Sequence, residues 1–354
     1  MPNVRFIHII YIALVSMMVS TSLSAQEAPS RDLVILTWSE YMDPELVKQF
    51  EQENNAHIRF VYFESDELRN DMLINTNGVG YDIICSNGRS VKSYVQQGWL
   101  EPVNDTQVPN RKYIKPRWLE AFPETKEYAL PFFWGTVGIA YRQDLVKQPV
   151  TSWKQLLNPA KELKGKIILV KDARDLMMVA LKSHHQSVNT TDIKLLEQSK
   201  QHLLEQKPFV KDYSYISLTE ESALVKGTAV VALAYSGDAI ALAEQDENIV
   251  YSVPEEGTTL WVDYLVVSKH SKRKPLAMKF LNFINEPRHA AKMAEYVYYA
   301  SPNIGASKYL PKDFLEDPVI YPDEALMQRS EFYLELPPRV QRSYNNILPL
   351  IVGE

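Results

Sequence analysis

The residues best suited to chemistry are Trp261 and Asp263, in the stretch GTTLWVDYLVVS. The β-branched and aromatic residues around them predict a strand, and residues two apart in a strand point to the same side. One face therefore carries a large π-surface beside a carboxylate, which suits an organic cation. The alternative is a core tryptophan next to an aspartate at a turn.

Two further carboxylates occur in the sequence KDARD, where a predicted strand becomes a helix. If Asp172 is the N-cap, Asp175 is the third helical residue, and both lie at the positive end of the helix dipole. Capping explains both acids structurally. A capping aspartate can also offer an oxygen to an ammonium group, so both roles stay open for Asp172.

Aromatic side chains occur where other predicted elements end, at Trp38, Tyr41, Tyr235, Tyr298 and Tyr299. Each alone is more often a packing residue than a ligand contact. Tyr235 opens the sequence YSGD, whose Ser236 or Asp238 is equally suited to capping a helix.

The elements around these residues alternate between strand and helix. Apolar runs at 33–36, 57–63 and 81–85 are each followed by a helical pattern, with Asp43 as N-cap and Pro44 in the first turn of the first helix. This alternation predicts an α/β fold with a parallel sheet, whose ligands lie at the carboxyl ends of strands. The candidate ligand contacts after the first and third strands are Trp38, Ser39, Glu40, Tyr41 and Asn87.

The middle of the chain predicts a second α/β lobe. Two short strands about Gly135 and Gly138 lead into it, and the strand containing Trp261 leads back. We expect lobe 1 to comprise 26–138 with 264–304, and lobe 2 to comprise 139–263 with 305–354. The ligand cleft would lie between hinged lobes.

Further helices are predicted in the second half of the chain. One begins near Thr190 or Thr191, and another covers Asp323 to Leu334.

The first 25 residues predict a secretory signal peptide, because a basic residue precedes an apolar run and small residues follow it. We expect cleavage after Ala25, with cleavage after Ser24 as the alternative, and an uncleaved N-terminal anchor as a second alternative. Cys85 is the single cysteine, so the chain has no internal disulfide, and we expect a buried thiol.

Composition and motifs exclude several functions for this chain of 354 residues. Its net charge of −6 argues against nucleic-acid binding. The sequence contains no GxSxG, HExxH, P-loop or GxGxxG motif and no metal-ligand spacing, so we expect neither an enzyme nor a metal site.

The chain resembles the spermidine/putrescine-binding periplasmic proteins of bacterial ABC transporters, including their sensor-type homologues. The resemblance covers nearly all of the chain after the signal peptide, in the blocks TWSEY, YDII, LPFFWGT, VTSW, KDARD, LAYSGDA, LWVD, NFINEP and SPN. It implies a type II periplasmic-binding-protein fold, a polyamine ligand, no cofactor and a periplasmic monomer. Its partner would be an ABC permease or, alternatively, the periplasmic domain of a membrane signalling receptor.

The resemblance also implies roles for individual residues. Trp38 and Tyr41 would be aromatic walls with Ser39 beside them, and Tyr235 and Tyr299 would complete the aromatic box. Asp172 and Asp175 would meet one amine. Trp261 would hold the middle of the ligand, and Asp263 would meet another amine.

Four positions depart from the family pattern. Tyr235 replaces a tryptophan, Asp175 a glutamate and Tyr333 a glutamine, while Asn87-Gly88-Arg89 replaces Ser-x-Tyr. We expect Arg89 to turn outward or to pair with an acid, because an arginine facing a polyamine would repel it. The changes favour a polyamine such as norspermidine, other than or in addition to spermidine. A different solute, such as a sugar or an amino acid whose carboxylate meets Arg89, is the remaining alternative.

Overall fold

The computed structural model describes residues 32–353, so the predicted signal peptide lies outside the described residues. The eleven strands of this part of the chain form one connected sheet. In chain order they are β1 (Asp32–Thr37), β2 (His57–Tyr62), β3 (Ile83–Asn87), β4 (Leu100–Glu101), β5 (Ala129–Arg142), β6 (Ile167–Leu169), β7 (Val210–Tyr213), β8 (Val231–Tyr235), β9 (Ile249–Ser252), β10 (Thr259–Ser268) and β11 (Glu331–Phe332).

Helices fill most of the connections between these strands. They are α1 (Pro44–Asn54), α2 (Asp66–Thr76), α3 (Gly88–Gln96), α4 (Pro116–Leu119), α5 (Trp153–Leu157), α6 (Ala173–Lys182), α7 (Ile193–Gln206), α8 (Ser236–Gln245), α9 (Lys274–Ile284), α10 (Pro287–Val297), α11 (Lys312–Glu316), α12 (Glu324–Arg329) and α13 (Pro338–Val352).

The sheet has parallel strands at both ends and antiparallel strands in its centre. Its main order is β2-β1-β3-β10-β5-β8-β6-β7, with β1 parallel to β2 and β3, and β6 parallel to β7 and β8. The long strand β5 joins the two ends: residues up to Thr136 pair with β10, and those from Val137 onward pair with β8 and β9. The predicted α/β fold with strand crossings is confirmed.

Two large apolar cores lie on this sheet. The first includes Leu33, Leu130 and Leu265, and the second includes Ile139, Leu176 and Leu233. Trp261 is half-buried and packs against both cores, so it marks their junction. The exact lobe boundaries stay a prediction. Because side chains between 306 and 327 pack in the first core, we propose that the last boundary lies near residue 330 rather than 304.

The crossing strand differs from the prediction of two short strands. Gly135 and Gly138 do not interrupt β5, which continues from Ala129 to Arg142. Both glycines make room for aromatic rings: a Cβ atom at Gly135 would lie 2.6 Å from the Trp261 ring, and one at Gly138 would overlap the Tyr251 ring. Close packing against a neighbouring strand, rather than a strand break, explains these glycines.

Several local predictions are confirmed. Asp43 caps α1, with Pro44 as the first residue of that helix, and Cys85 is a free, buried thiol. Asp172 caps α6 through hydrogen bonds from the backbone N–H groups of Arg174 and Asp175, at 2.7 and 2.9 Å. The predicted arrangement, with Asp172 as the N-cap and Asp175 as the third helical residue, is therefore confirmed.

One predicted helix boundary was wrong. Helix α7 begins at Ile193, near Thr190 and Thr191 as predicted, and the Asp192 carboxylate caps it by accepting from the Lys194 N–H. The predicted helix 323–334 ends at Arg329, and the chain then forms β11 beside the start of β10. Pairing with a distant strand overrides local helical preference there.

Among residues 32–353, no helix combines the length and the apolar character that crossing a bilayer requires.

The turn before β10 depends on a glycine that contacts the segment leading into β11. Gly257 has φ 82°, and a Cβ atom there would overlap the backbone oxygen of Arg329. We expect Gly257→Ala to lower the free energy of unfolding, measured in urea, by about 1–2 kcal/mol for the left-handed backbone and by about 1–3 kcal/mol more for the overlap. Gly165 is the matched control, since it has φ 67° with nothing within 4 Å. Equal losses in Gly257→Ala and Gly165→Ala would contradict the overlap.

Candidate functional site

Strand β10 places Trp261 and Asp263 on its less buried face. These two residues are half-buried, whereas Leu260, Val262 and Tyr264 between and beside them are buried. Asp263 lies opposite Asn87 of β3 and Phe133 of β5, and the register with β5 shifts between Asp263 and Tyr264. The predicted shared face is confirmed, and such an irregularity is a common means of re-aiming side chains.

Trp261 lines a cavity of about 120 Å³ at the junction of the two cores. One water molecule needs a cavity volume of roughly 10–15 Å³, so this cavity has room for part of a small organic molecule. The predicted site residues Asn87, Asp172, Asp175, Tyr235 and Tyr333 also line it. The structure therefore brings together acids and aromatics that are up to 161 positions apart in the chain, from Asp172 to Tyr333.

Asp175 is the most enclosed acid of the cavity, with only 4% of its surface exposed. The Tyr333 hydroxyl donates to its Oδ1 at 2.7 Å, and the Tyr235 hydroxyl donates to its Oδ2 at 3.2 Å. Burial and then the nearby Asp172 carboxylate raise the pKa of Asp175 to about 7, while the two phenols and Arg89 partly offset this rise. An ammonium group would stabilise the ionised form.

Asn189 holds Tyr333 in place through hydrogen bonds to the backbone on either side of it. The Asn189 side chain donates to the backbone oxygen of Phe332 at 2.8 Å and accepts from the N–H of Leu334 at 2.9 Å, one residue to either side of Tyr333. The Arg174 guanidinium lies 4.4 Å from the centre of the Tyr333 ring. These contacts explain how Tyr333, which follows a two-residue strand, is directed at Asp175.

A second carboxylate, that of Asp263, accepts a hydrogen bond from the Tyr41 hydroxyl at 2.9 Å. Burial raises the pKa of Asp263 to about 6, with a contribution from the charge of Asp66, while hydrogen bonds from Tyr41 and Trp38 oppose the rise. The Trp38 ring packs edge-on against Phe63 at 4.4 Å. Trp38 and Tyr41 therefore form one group with Asp263 of β10, and none of the three lines the cavity.

Asp238 is a third buried carboxylate, which the sequence interpretation assigned to helix capping alone. It accepts hydrogen bonds from the hydroxyls of Tyr299, at 3.2 Å, and Tyr215. Burial raises its pKa to about 6, and these phenols oppose the rise. The Tyr299 ring in turn packs edge-on against Trp261 at 4.7 Å.

A sequence signal for Asp238 existed. It is the third residue of α8, directly after β8, as Asp175 is the third residue of α6 after β6. The two strands are parallel neighbours, so their carboxyl ends meet at one edge of the sheet.

The rim of the cavity near α2 and α3 contains another unpredicted acid, Asp66. Asp66 accepts a hydrogen bond from the Asn87 side chain and forms an ion pair with Arg69. Arg69 is fully buried and also donates to Tyr94 and Ser90. Because Asn87 is committed to Asp66, its amide is oriented by the protein before any ligand arrives.

Arg89 departs from the prediction that it turns outward. It lines the cavity, its guanidinium lies 5.6 Å from the centre of the Tyr333 ring, and its charge lowers the pKa of Asp175. Tyr333 offers an aromatic face to the cation there. Within residues 32–353 Arg89 forms no ion pair with an acid. It acts on Asp175 only at longer range, through its charge.

Two predicted contacts lie outside this group. Ser39 and Glu40 are exposed in the turn after β1, and Glu40 has a left-handed backbone with φ 53°. Neither lines the cavity, and their ligand role stays a prediction. In the described part of the chain, no group of three or more histidine, cysteine, aspartate or glutamate side chains could hold a metal ion.

Carboxylates with raised pKa values, set among phenols and indoles, form a site that recognises organic cations. The aromatic faces attract cations through their quadrupoles, and each carboxylate gains when an ammonium replaces the water lost on burial. Together, the fold and this site define a ligand-binding protein of the type II periplasmic-binding-protein class.

Comparison with known proteins agrees with this class. The chain belongs to the bacterial extracellular solute-binding protein family, whose model matches residues 45–321. It is similar to the norspermidine sensor of Vibrio cholerae, with 30% identity over 85% of this chain and 84% of the relative. It is also similar to the spermidine/putrescine-binding periplasmic protein of Escherichia coli, with 28% identity over 87% of this chain and 88% of the relative.

Solved structures give the same result. The spermidine/putrescine ABC transporter substrate-binding protein of Streptococcus pneumoniae matches with a TM-score of 0.82 and 29% identity, over 91% of this chain and 98% of that one. A putative spermidine/putrescine ABC transporter protein of Listeria monocytogenes matches with a TM-score of 0.81 and 32% identity, over 91% and 99%. The predicted fold class and the predicted family are thereby confirmed.

The raised pKa of Asp175 predicts how the stability of the ligand-free protein depends on pH. The folded state keeps this proton up to about pH 7, whereas an ordinary aspartate loses it near 3.8. The folded state therefore binds more protons than the unfolded state between these values, and this carboxyl lowers the free energy of unfolding as pH rises through them. Asp175→Asn removes this contribution.

We expect urea unfolding of Asp175→Asn at pH 5, 6, 7 and 8 to give a shallower decline with pH than the wild type. Asp71→Asn, at an exposed position of α2, should keep the wild-type slope. An unchanged slope in Asp175→Asn would contradict the raised pKa.

Proposed function

We propose that this protein binds a linear polyamine, such as spermidine or norspermidine, between its two cores, without a cofactor and without catalysing a reaction. The protein would be exported by its signal peptide and act in the periplasm as a monomer. Amine groups would be met by the carboxylates of Asp175, Asp238 and Asp263, and methylene segments would pass along the ring of Trp261.

The observation that carries this proposal is the burial of three carboxyl groups whose hydrogen bonds come from tyrosine hydroxyls. Asp175, Asp238 and Asp263 each have a pKa raised primarily by burial. A charge-assisted hydrogen bond contributes about 1.5–3 kcal/mol, and a cation–π contact about 0.5–2 kcal/mol. Two or three of each suffice for a micromolar complex, which needs about 8 kcal/mol.

The relatives support the same ligand class. One of these relatives is named for norspermidine and the other for spermidine and putrescine. The acids and the central tryptophan in this chain fall in the blocks KDARD, YSGD and LWVD that carry the resemblance. We propose that each of these residues contacts the ligand.

Isothermal titration calorimetry tests this function with spermidine, norspermidine, putrescine and spermine. We expect at least micromolar binding of one triamine, weakened by about 2–5 kcal/mol in Asp263→Asn and in Asp238→Asn, because each change leaves a buried ammonium without its partner. Asp71→Asn is the surface control. Thermal unfolding of each variant checks its fold. If no polyamine binds the wild type, the proposal fails; if putrescine binds most tightly, the preference for a triamine fails.

Delivery to an ABC permease is the role that we propose for the liganded protein. The alternative is that it docks on the periplasmic domain of a membrane signalling receptor. That alternative is favoured by the 30% identity to a norspermidine sensor over 85% of the chain. Both roles use the same site, so the site chemistry does not separate them.

Deletion of the gene from the source bacterium distinguishes the two roles. Delivery predicts that uptake of radiolabelled spermidine falls and returns when the wild-type gene is restored, but not when the Asp263→Asn gene is restored. Signalling through a receptor predicts unchanged uptake together with altered biofilm formation. Unchanged uptake at all external polyamine concentrations would rule out delivery.

A further inference from the structure

The cavity end at α6 contains positive as well as negative side chains. Two carboxyl groups, those of Asp172 and Asp175, lie there with two guanidinium groups, those of Arg89 and Arg174. The Tyr333 ring has the Arg174 Cζ atom at 4.4 Å and the Arg89 Cζ atom at 5.6 Å from its centre. An ammonium group entering this end would meet the guanidinium of Arg89 as well as the carboxylates.

The oxygens of Asp175 are also partly occupied, since one accepts from Tyr333 at 2.7 Å and the other from Tyr235 at 3.2 Å. Asp172 uses its Oδ1 to cap α6. These donors fix the orientation of both carboxylates at this end.

The two guanidinium groups differ in how many of their hydrogen-bond donors already have a partner in the protein. Arg174 donates to the backbone oxygen of Leu334 at 3.2 Å and to Asn189 Oδ1 at 3.0 Å, beneath the Tyr333 ring. Arg89 lines the cavity, and within residues 32–353 no hydrogen bond or ion pair engages its guanidinium. Its donors are thus available to a ligand, and they require an acceptor rather than a second cation.

The other end of the site is strongly negative. Asp66, Asp238 and Asp263 lie there, and the described cation among them is Arg69, whose donors are taken by Asp66, Tyr94 and Ser90. A ligand matching both ends would carry its positive charges near Asp238 and Asp263, and an uncharged acceptor near Arg89.

We infer that the preferred ligand is a polyamine acylated on one terminal nitrogen, with its amide in the cavity end at Arg89 and its free ammonium groups toward Asp238 and Asp263. The amide oxygen would accept a hydrogen bond from Arg89. The acyl methyl group would pack against the apolar wall of the cavity, to which Phe122, Val137 and Leu260 contribute. This inference rests on the proposed function and changes one part of it: a neutral amide, rather than an ammonium group, would face Asp175.

Two other end groups fit less well. A free terminal ammonium would face the unengaged charge of Arg89. A carboxylate, as in an ω-amino acid, would pair with Arg89 but would lie beside Asp172 and Asp175, and like charges in a buried site are costly. A neutral amide avoids both repulsions and still uses the Arg89 donors.

Calorimetry with spermidine, N1-acetylspermidine, N8-acetylspermidine and γ-aminobutyrate tests this inference on the wild-type protein. We expect one of the two acetylspermidines to bind at least tenfold more tightly than spermidine. Arg89→Ala should reverse this order by removing both the donor to the amide and the repulsion of the ammonium. Arg339→Ala, at an exposed position of α13, should keep the wild-type order.

Each outcome separates this inference from the proposed function. Tighter binding of spermidine than of both acetylated forms would overturn the inference and leave the polyamine function intact. Tightest binding of γ-aminobutyrate, or no binding of any amine, would overturn both. If Arg89→Ala does not fold, as judged by thermal unfolding, the wild-type order of affinities decides the question alone.

Discussion

The free-energy cost of burying carboxyl groups determines how this site works. Asp175 and Asp238 are buried and Asp263 is half-buried, and tyrosine hydroxyls, rather than full positive charges, supply their closest hydrogen bonds. Phenols stabilise a carboxylate enough to keep it in a protein interior, but they leave its pKa raised. In the ligand-free protein the phenols therefore offset only part of the desolvation cost of these carboxylates, and a bound cation offsets more of it. Selectivity for cations follows from this arrangement before any shape complementarity is considered.

The sequence was most informative where structure is local. The caps at Asp43 and Asp172, and the alternation that puts Trp261 and Asp263 on one face of β10, depend only on neighbouring residues. The family resemblance then assigned Asp172, Trp261 and Asp263 to one site, which individual patterns cannot do. Asp238 was missed because an aspartate in the first turn of a helix has a sufficient structural explanation, so its pattern alone does not indicate a ligand contact.

The remaining features depend on contacts between distant segments. The direction of Tyr333 is set by the pairing of β11 with β10 and by Asn189, none of which is visible from the local sequence. The orientation of Arg89 follows from the Tyr333 ring that it faces. Gly135 and Gly138 suggested strand breaks because glycine weakens strands, yet packing of Trp261 and Tyr251 requires glycine there.

The continuity of β5 and β10 has a mechanical consequence. Each strand runs without a break through the junction of the two cores, so relative rotation of the cores must flex these strands rather than a loop. The register shift between Asp263 and Tyr264 interrupts regular pairing there, so β10 can bend at this point. Trp261 and Asp263 both precede that point, so rotation about it would move the indole and the carboxylate together. Ligand binding and rotation of the two cores would then be one coupled motion.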